Sequence, residues 1–229
     1  MRKPNIQLCK ENDAILELMK GKRVWVSTDW HAVKFDKQTH DIGKRDEYDD
    51  IKRSCRVIKP DDVWLFLGDM IDSEIQKKSY IDELLDCVHT ENRILLLGNN
   101  DRWTDYTKWF KFVENTILMP EERVVITHCP IPNDERINIH GHLHVKEYTM
   151  PGAYWDMYKI EMGNHVNAFT WPHKPVLLST IMKWKPNPFY QDIPGMRGKP
   201  YTQDLINNEI RDYKILKEHY AREKIDDEE

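Results

Sequence analysis

The sequence predicts an α/β fold, and three observations carry the prediction. Short apolar runs of strand length recur through the first half of the chain, each ending at Gly, Asp or Thr. Apolar residues at helical spacing fill the stretches between them, a strand-helix-strand rhythm. After Gly141 that rhythm gives way to shorter extended pieces, which calls for a second sheet. A chain of 229 residues is long enough to bury a substantial single core.

In order, Val24-Trp25-Val26 runs toward Asp29, and Ile51, Cys55 and Ile58 then mark an amphipathic helix. The run Val63-Trp64-Leu65-Phe66-Leu67 ends at Gly68-Asp69. Ser79 is placed as an N-cap before Ile81, Leu84, Leu85 and Val88, the second helical pattern. Ile94-Leu95-Leu96-Leu97 leads into Gly98-Asn99, and Val124-Val125-Ile126 into Thr127-His128. Extended pieces follow around Tyr158 to Met162 and Val176 to Leu178, both assigned to the second sheet. The stretch 186–200 holds Pro186, Pro188, Pro194, Gly195, Gly198 and Pro200 and breaks regular structure. The core domain is therefore expected to span 1–185. Residues 186–229 form a linker and an amphipathic helix carrying Ile206, Ile210, Tyr213, Leu216 and Tyr220, which either packs back on the core or supplies a homodimer contact.

Composition narrows the function classes. Hydrophobic residues at 40% and charged residues at 32% describe a globular chain, not a low-complexity one. A formal charge of -5 argues against a broad phosphate-tracking surface for nucleic acid. No apolar run approaches the ~20 residues that span a bilayer, and the start Met1-Arg2-Lys3-Pro4 lacks a secretory pattern, so no membrane partner and a cytoplasmic location are expected. Cys9, Cys55, Cys87 and Cys129 form no C-x-x-C and read as reduced thiols. Cys129 in particular reads as a small buried thiol and not as a nucleophile.

The polar residues that close the apolar runs are the ones with metal-binding chemistry. Asp29-Trp30-His31 pairs a hard carboxylate with an imidazole, a combination suited to Mn, Fe or Zn over Ca. Asp69 falls at the carboxyl edge of the sheet, where open α/β folds bind ligands. Asn99 offers a neutral carbonyl oxygen. Four of the ten histidines lie between His128 and His144, and in Gly141-His142-Leu143-His144 two of them share one side if the segment is extended.

Taken together, the motifs D-x-H, G-D-x-x-D, G-N-N-D, a lone His and G-H-x-H, between Arg23 and His144, resemble the calcineurin-like metallophosphoesterase superfamily. The segment Tyr158 to Ile181 is similar to the closing strands of its small prokaryotic and phage-type members. The resemblance implies two packed mixed β-sheets flanked by helices, an αββα sandwich, with two divalent ions at the strand ends. One ion would take Asp29, His31, Asp69 and His144, the other Asp69, Asn99, His128 and His142, with Asp69 bridging. Manganese is the expected metal, with Fe, Zn or Ni as alternatives. The implied activity is hydrolysis of phosphoric esters, most specifically of a small or nucleotide-like phosphodiester, by a water or hydroxide held between the ions. A nuclease acting on ends or single strands is the alternative enzyme, and a non-catalytic binding module on the same fold is the alternative of another class.

One position departs from the family pattern. Where the family carries G-N-H, this chain has Asn100, which donates a hydrogen bond but supplies no proton. Asn100, Asp101 and His165 are the candidate residues around the chemistry, His165 as a replacement acid. Asp101 and Asp72 are expected to orient ligands or the adjacent backbone. Arg102 is the candidate phosphate clamp, and Lys34, Lys37, Lys44 and Arg45 the candidate positive rim. Trp103, Trp109 and Phe110 either stack bases or belong to the core.

Overall fold

A computed structural model describes residues 6–35, 42–72, 78–101, 105–131, 136–142, 165–168 and 173–183. The expected strand at Tyr158 to Met162, the linker and the C-terminal helix lie outside the described residues.

Helix α1 (Ile6–Met19) leads into β1 (Val24–Ser27), a hairpin of β2 (Val33–Phe35) and β3 (Ile42–Lys44), and helix α2 (Tyr48–Cys55). Then come β4 (Val63–Phe66), α3 (Lys78–Leu85), β5 (Arg93–Leu96), β6 (Phe112–Glu114), β7 (Thr116–Met119), β8 (Val124–Thr127) and β9 (Ile137–His140). Strands β10 (His165–Asn167) and β11 (Val176–Leu177) and a helical turn at Leu178–Ile181 complete the described chain.

The first sheet has the order β11-β1-β4-β5-β6, parallel from β1 to β6 with β11 antiparallel at its edge. The second runs β10-β9-β8-β7, with only the β7–β8 pair antiparallel. Two mixed sheets with helices make the α/β sandwich that the family resemblance implies. Parallel neighbours need crossovers, and α2 and α3 provide them between β1, β4 and β5. One expectation is corrected: Val176–Leu177 joins the first sheet, pairing Trp25 with Leu177 and Val26 with Val176. A strand of two residues carries no periodicity, so its choice of sheet rests on tertiary pairing alone.

Side-chain alternation divides the molecule into two cores. Val24, Val26, Val63, Leu65, Leu67, Ile94 and Leu96 face the second sheet's Ile117, Val124, Ile126 and Ile139, with α1 adding Ile15 and Met19. The intervening residues Trp64, Phe66 and Leu95 turn to the other face, where Ile51 and Cys55 of α2 and Ile81, Leu84 and Leu85 of α3 cover them. Trp30, fully buried, joins this outer core, its ring 5.3 Å from Trp64 and 4.8 Å from Phe66. Burying a large side chain contributes ~1.5–3 kcal/mol, so the residue between the two potential ligands of D-x-H anchors their turn in the core.

Packing also decides the role of the aromatic group. Phe110 is buried with its ring 5.7 Å from Trp64, and the Trp109 indole N–H donates to Asp82 Oδ1 at 2.7 Å. Both are structural here, whereas Trp103 lies outside the described residues.

Candidate metal centre

The carboxyl ends of β1, β4, β5, β8 and β9 meet at one edge, and main-chain bonds between their loops lock them together. Leu67 N–H donates to the Ser27 carbonyl at 2.8 Å, Asp29 N–H to Gly68 at 2.9 Å, His31 N–H to Asp69 at 3.0 Å and Gly141 N–H to His128 at 2.9 Å. The loops turn so tightly that Asp29, His31, Asp69 and His142 all adopt left-handed backbone, with φ of 51°, 40°, 60° and 65°. Left-handed non-glycine residues store local strain and concentrate at functional sites. Two glycines make the approach feasible: a Cβ on Gly98 would strike the Asp69 carboxylate, and one on Gly141 would strike Thr28 Oγ1 and Asp29 Oδ2.

Two groups of donor atoms result. Asp29, His31 and Asp69 present ligand atoms within 4.8 Å of one another, and so do His128, Cys129 and His142. Asn99 Oδ1 lies 3.1 Å from His128 Nε2 and extends the second group. Asp69 stands between them, its Oδ2 3.6 Å from His31 Nε2 and 3.5 Å from His128 Nε2. Those separations are too long for good hydrogen bonds and place the carboxylate in reach of both groups.

The orientation of His128 tests whether a cation fits. Its Nδ1 lies 2.6 Å from the Leu67 carbonyl, which can only accept, so Nδ1 carries the proton. In a neutral ring Nε2 then points a bare lone pair toward the Asn99 oxygen and the Asp69 carboxylate. His142 Nδ1 lies 3.1 Å from the same nitrogen, and this convergence of ring nitrogens and oxygens is suited to a proton or a metal ion among them. Without a metal it is a proton: burial opposes the charge, yet Asp69 and Asp29 raise the imidazole to about 10. Burial likewise opposes the charge on Asp69, but His128 and His31 hold its carboxyl well below the usual range. His31 is set in the same way, with Nδ1 2.8 Å from Asp72 Oδ1 and Nε2 left to face Asp69. The donor set therefore fits cations of the borderline type.

Around these groups the structure places the other expected residues. Asp101 is buried and works through backbone: Oδ2 accepts from Asp69 N–H at 2.8 Å and Gly98 N–H at 2.9 Å, and Oδ1 accepts from Tyr106 OH at 3.1 Å. It is a positioning residue that ties the turns after β4 and β5 together. Asn100 donates from its main chain to Asp69 Oδ1 at 2.8 Å and from its amide to Oδ2 at 2.7 Å. Lys44 is taken up by Glu83, at 2.7 and 2.8 Å, and Arg45 approaches Asp72 Oδ1 at 4.0 Å. The backbone of His165 pairs with Asn138 in the second sheet, and His144, Arg102 and Lys37 lie outside the described residues.

Several contributors were not anticipated. Thr28 donates to Asp29 Oδ2 at 2.5 Å and His142 N–H donates to the same oxygen at 2.8 Å. Asn138, fully buried in β9, donates to Thr127 Oγ1 at 2.9 Å and accepts from Ile131 N–H at 2.7 Å, bracketing the His128-Cys129-Pro130 turn. It alternates with Ile137 and Ile139, which face the inter-sheet core, so the strand pattern placed it on the other face and gave no local signal of its partners. Cys129 requires a correction: it is half-buried beside His128 and His142, not sequestered in the core.

A family model described as calcineurin-like phosphoesterase matches residues 22–220. No curated protein matches the chain. Among solved structures, the crystal structure of the protein of unknown function AQ665 from Aquifex aeolicus is similar at 22% identity and a TM-score of 0.48, covering 71% of this chain and 99% of that one. No helix among the described residues is long and apolar enough to cross a membrane.

Proposed function

The chain belongs to the calcineurin-like phosphoesterase family, whose general chemistry is metal-dependent phosphoester hydrolysis, and from that premise we propose a dinuclear phosphodiesterase acting on a small or nucleotide-like substrate. The observation that carries the reading is the position of Asp69, within reach of His31 on one side and His128 on the other. One ion would be held by Asp29, His31, Asp69 and His144, the other by Asp69, Asn99, His128 and His142. When bound, such ions supply a nucleophilic water at neutral pH and neutralise charge on the phosphoryl oxygens.

The chain's own residues set the stage for that chemistry. Asp72 and the Leu67 carbonyl fix which nitrogen of His31 and His128 is bare, and Asp101 holds the turn that carries Asp69. The net charge of -5 and the pairing of Lys44 with Glu83 support a substrate presenting one or two phosphates over a polymer. Use of Trp109 and Phe110 in packing weakens the nuclease alternative. Two groups of three donor residues each weigh against a non-catalytic module.

Chelation is expected to abolish hydrolysis, and Mn to restore it better than Mg, because imidazole-rich ligation disfavours a hard, water-retaining ion. The measurement is turnover of monoester, diester and nucleotide substrates after reconstitution. Equal rates in Mg alone, or a clear monoester preference, would overturn the reading.

Asn100 supports a second expectation. With an amide at that position, esters of poor alkoxide leaving groups should react far more slowly than nitrophenyl esters, giving a steep dependence of rate on leaving-group pKa. Asn100→His should flatten the dependence, mainly below neutrality because nearby cations depress an imidazole pKa. A flat wild-type profile under chemistry-limited turnover would mean another acid operates, and His165→Ala would then identify or eliminate His165.

A further inference from the structure

Cys129 follows His128 directly at the end of β8, and its sulfur, a nitrogen of His128 and a nitrogen of His142 lie within 4.8 Å of one another. Three features hold it there. Thr127 Oγ1 donates to the Cys129 carbonyl at 2.6 Å, Asn138 anchors Thr127 and Ile131 on either side, and His142 is pinned through its N–H to Asp29. The turn that presents the sulfur is thus fixed by the same bonds that present the imidazoles. Cys55 and Cys87, by contrast, are buried in the outer core among α2 and α3.

We propose that Cys129 is a thiolate ligand of the ion at the His128–His142 position, which makes that position chemically softer than its neighbour. The inference rests on the metal-dependent reading above and extends it to metal choice. Ligation forms a sulfur–metal bond, and the thiol proton passes to solvent. Adding a sulfur to Asp69, Asn99, His128 and His142 shifts that position toward Zn, Fe or Co, whereas the sulfur-free position of Asp29, His31 and Asp69, with its two carboxylates, also accepts Mn. The two positions are then predicted to differ in their metals within one molecule.

Cobalt(II) titration of the full-length apoprotein tests this without reference to activity. Binding by any donor set produces visible d–d bands, while a thiolate ligand adds a near-ultraviolet charge-transfer band. Wild type is expected to show both; Cys129→Ser should retain the d–d bands, lose the charge-transfer band and lose Zn-over-Mn preference by about tenfold or more. Visible bands without charge transfer in wild type, or a band that survives in Cys129→Ser, would overturn the assignment while leaving the metal-dependent reading intact. Absence of all bands would overturn that reading itself. Should the variant fail to fold, mass-mapped alkylation of Cys129 in wild type decides the matter: Zn is expected to slow it strongly, and an unchanged rate refutes ligation.

Discussion

Asp69→Asn is expected to fold and to lose hydrolysis by ~10³-fold or more, since in the proposed dinuclear site it would remove a bridging charge and forfeit several kcal/mol of metal-derived stabilisation, each ~1.4 kcal/mol being tenfold in rate. The size of the effect follows from where the carboxylate sits. Asp69 is the acid that faces both His31 and His128, so its charge serves both groups of donors. The asparagine keeps an oxygen for the Asn100 main-chain N–H, which preserves the turn. Elemental analysis after saturation should find both ions weakened, while His31→Ala and His142→Ala should each empty mainly one position. Retention of two ions and near-normal turnover by Asp69→Asn would eliminate the bridging role.

Asp101→Ala is expected to have the largest effect on stability, about 3–5 kcal/mol, because it leaves the buried N–H groups of Asp69 and Gly98 and the Tyr106 hydroxyl without their acceptor. Urea unfolding of the metal-free proteins measures it. Asp101→Asn keeps one acceptor oxygen and should cost less. It also supplies a pH test. Burial first, and the Asp69 charge second, push the Asp101 carboxyl up to about 6 in the folded metal-free chain, against about 3.9 when unfolded. The native state then binds the extra proton, so Asp101 contributes most below about pH 4. That contribution fades as pH rises toward about 6. Wild type should therefore lose stability relative to Asp101→Asn across that window, and parallel profiles would refute the raised carboxyl.

The donor residues were legible because apolar runs announce buried strands, and a Gly, Asp, Asn or His at the end of each run must lie at the sheet's edge. The strand-helix-strand rhythm of β1, β4 and β5 was legible, and their parallel pairing is what the helices between them make possible. What was not legible depends on approach across the fold. Cys129 meets His142 only because β8 and β9 lie side by side, and its place next to His128 in the sequence does not by itself show that the sulfur approaches a second imidazole. Asp101 was expected to orient ligands or the adjacent backbone, but that it ties together the backbone of two separate strand ends depends on tertiary approach. Val176 and Leu177 chose the first sheet through pairing with β1, a choice that two residues cannot encode by pattern.

The left-handed backbone at Asp29, His31, Asp69 and His142 also bears on how long the protein persists. Such conformations cost on the order of 1 kcal/mol each, a sizeable share of the ~5–15 kcal/mol that holds a domain folded. A ligand that binds only the native state adds about 4 kcal/mol at a thousand times its dissociation constant. A chain starved of metal would keep its shape with a thinner margin and spend more time open to proteases, whereas a loaded chain would resist them. Metal supply would thereby govern the abundance of this protein as well as its rate, and depletion would reduce the number of molecules present before their activity was ever assayed.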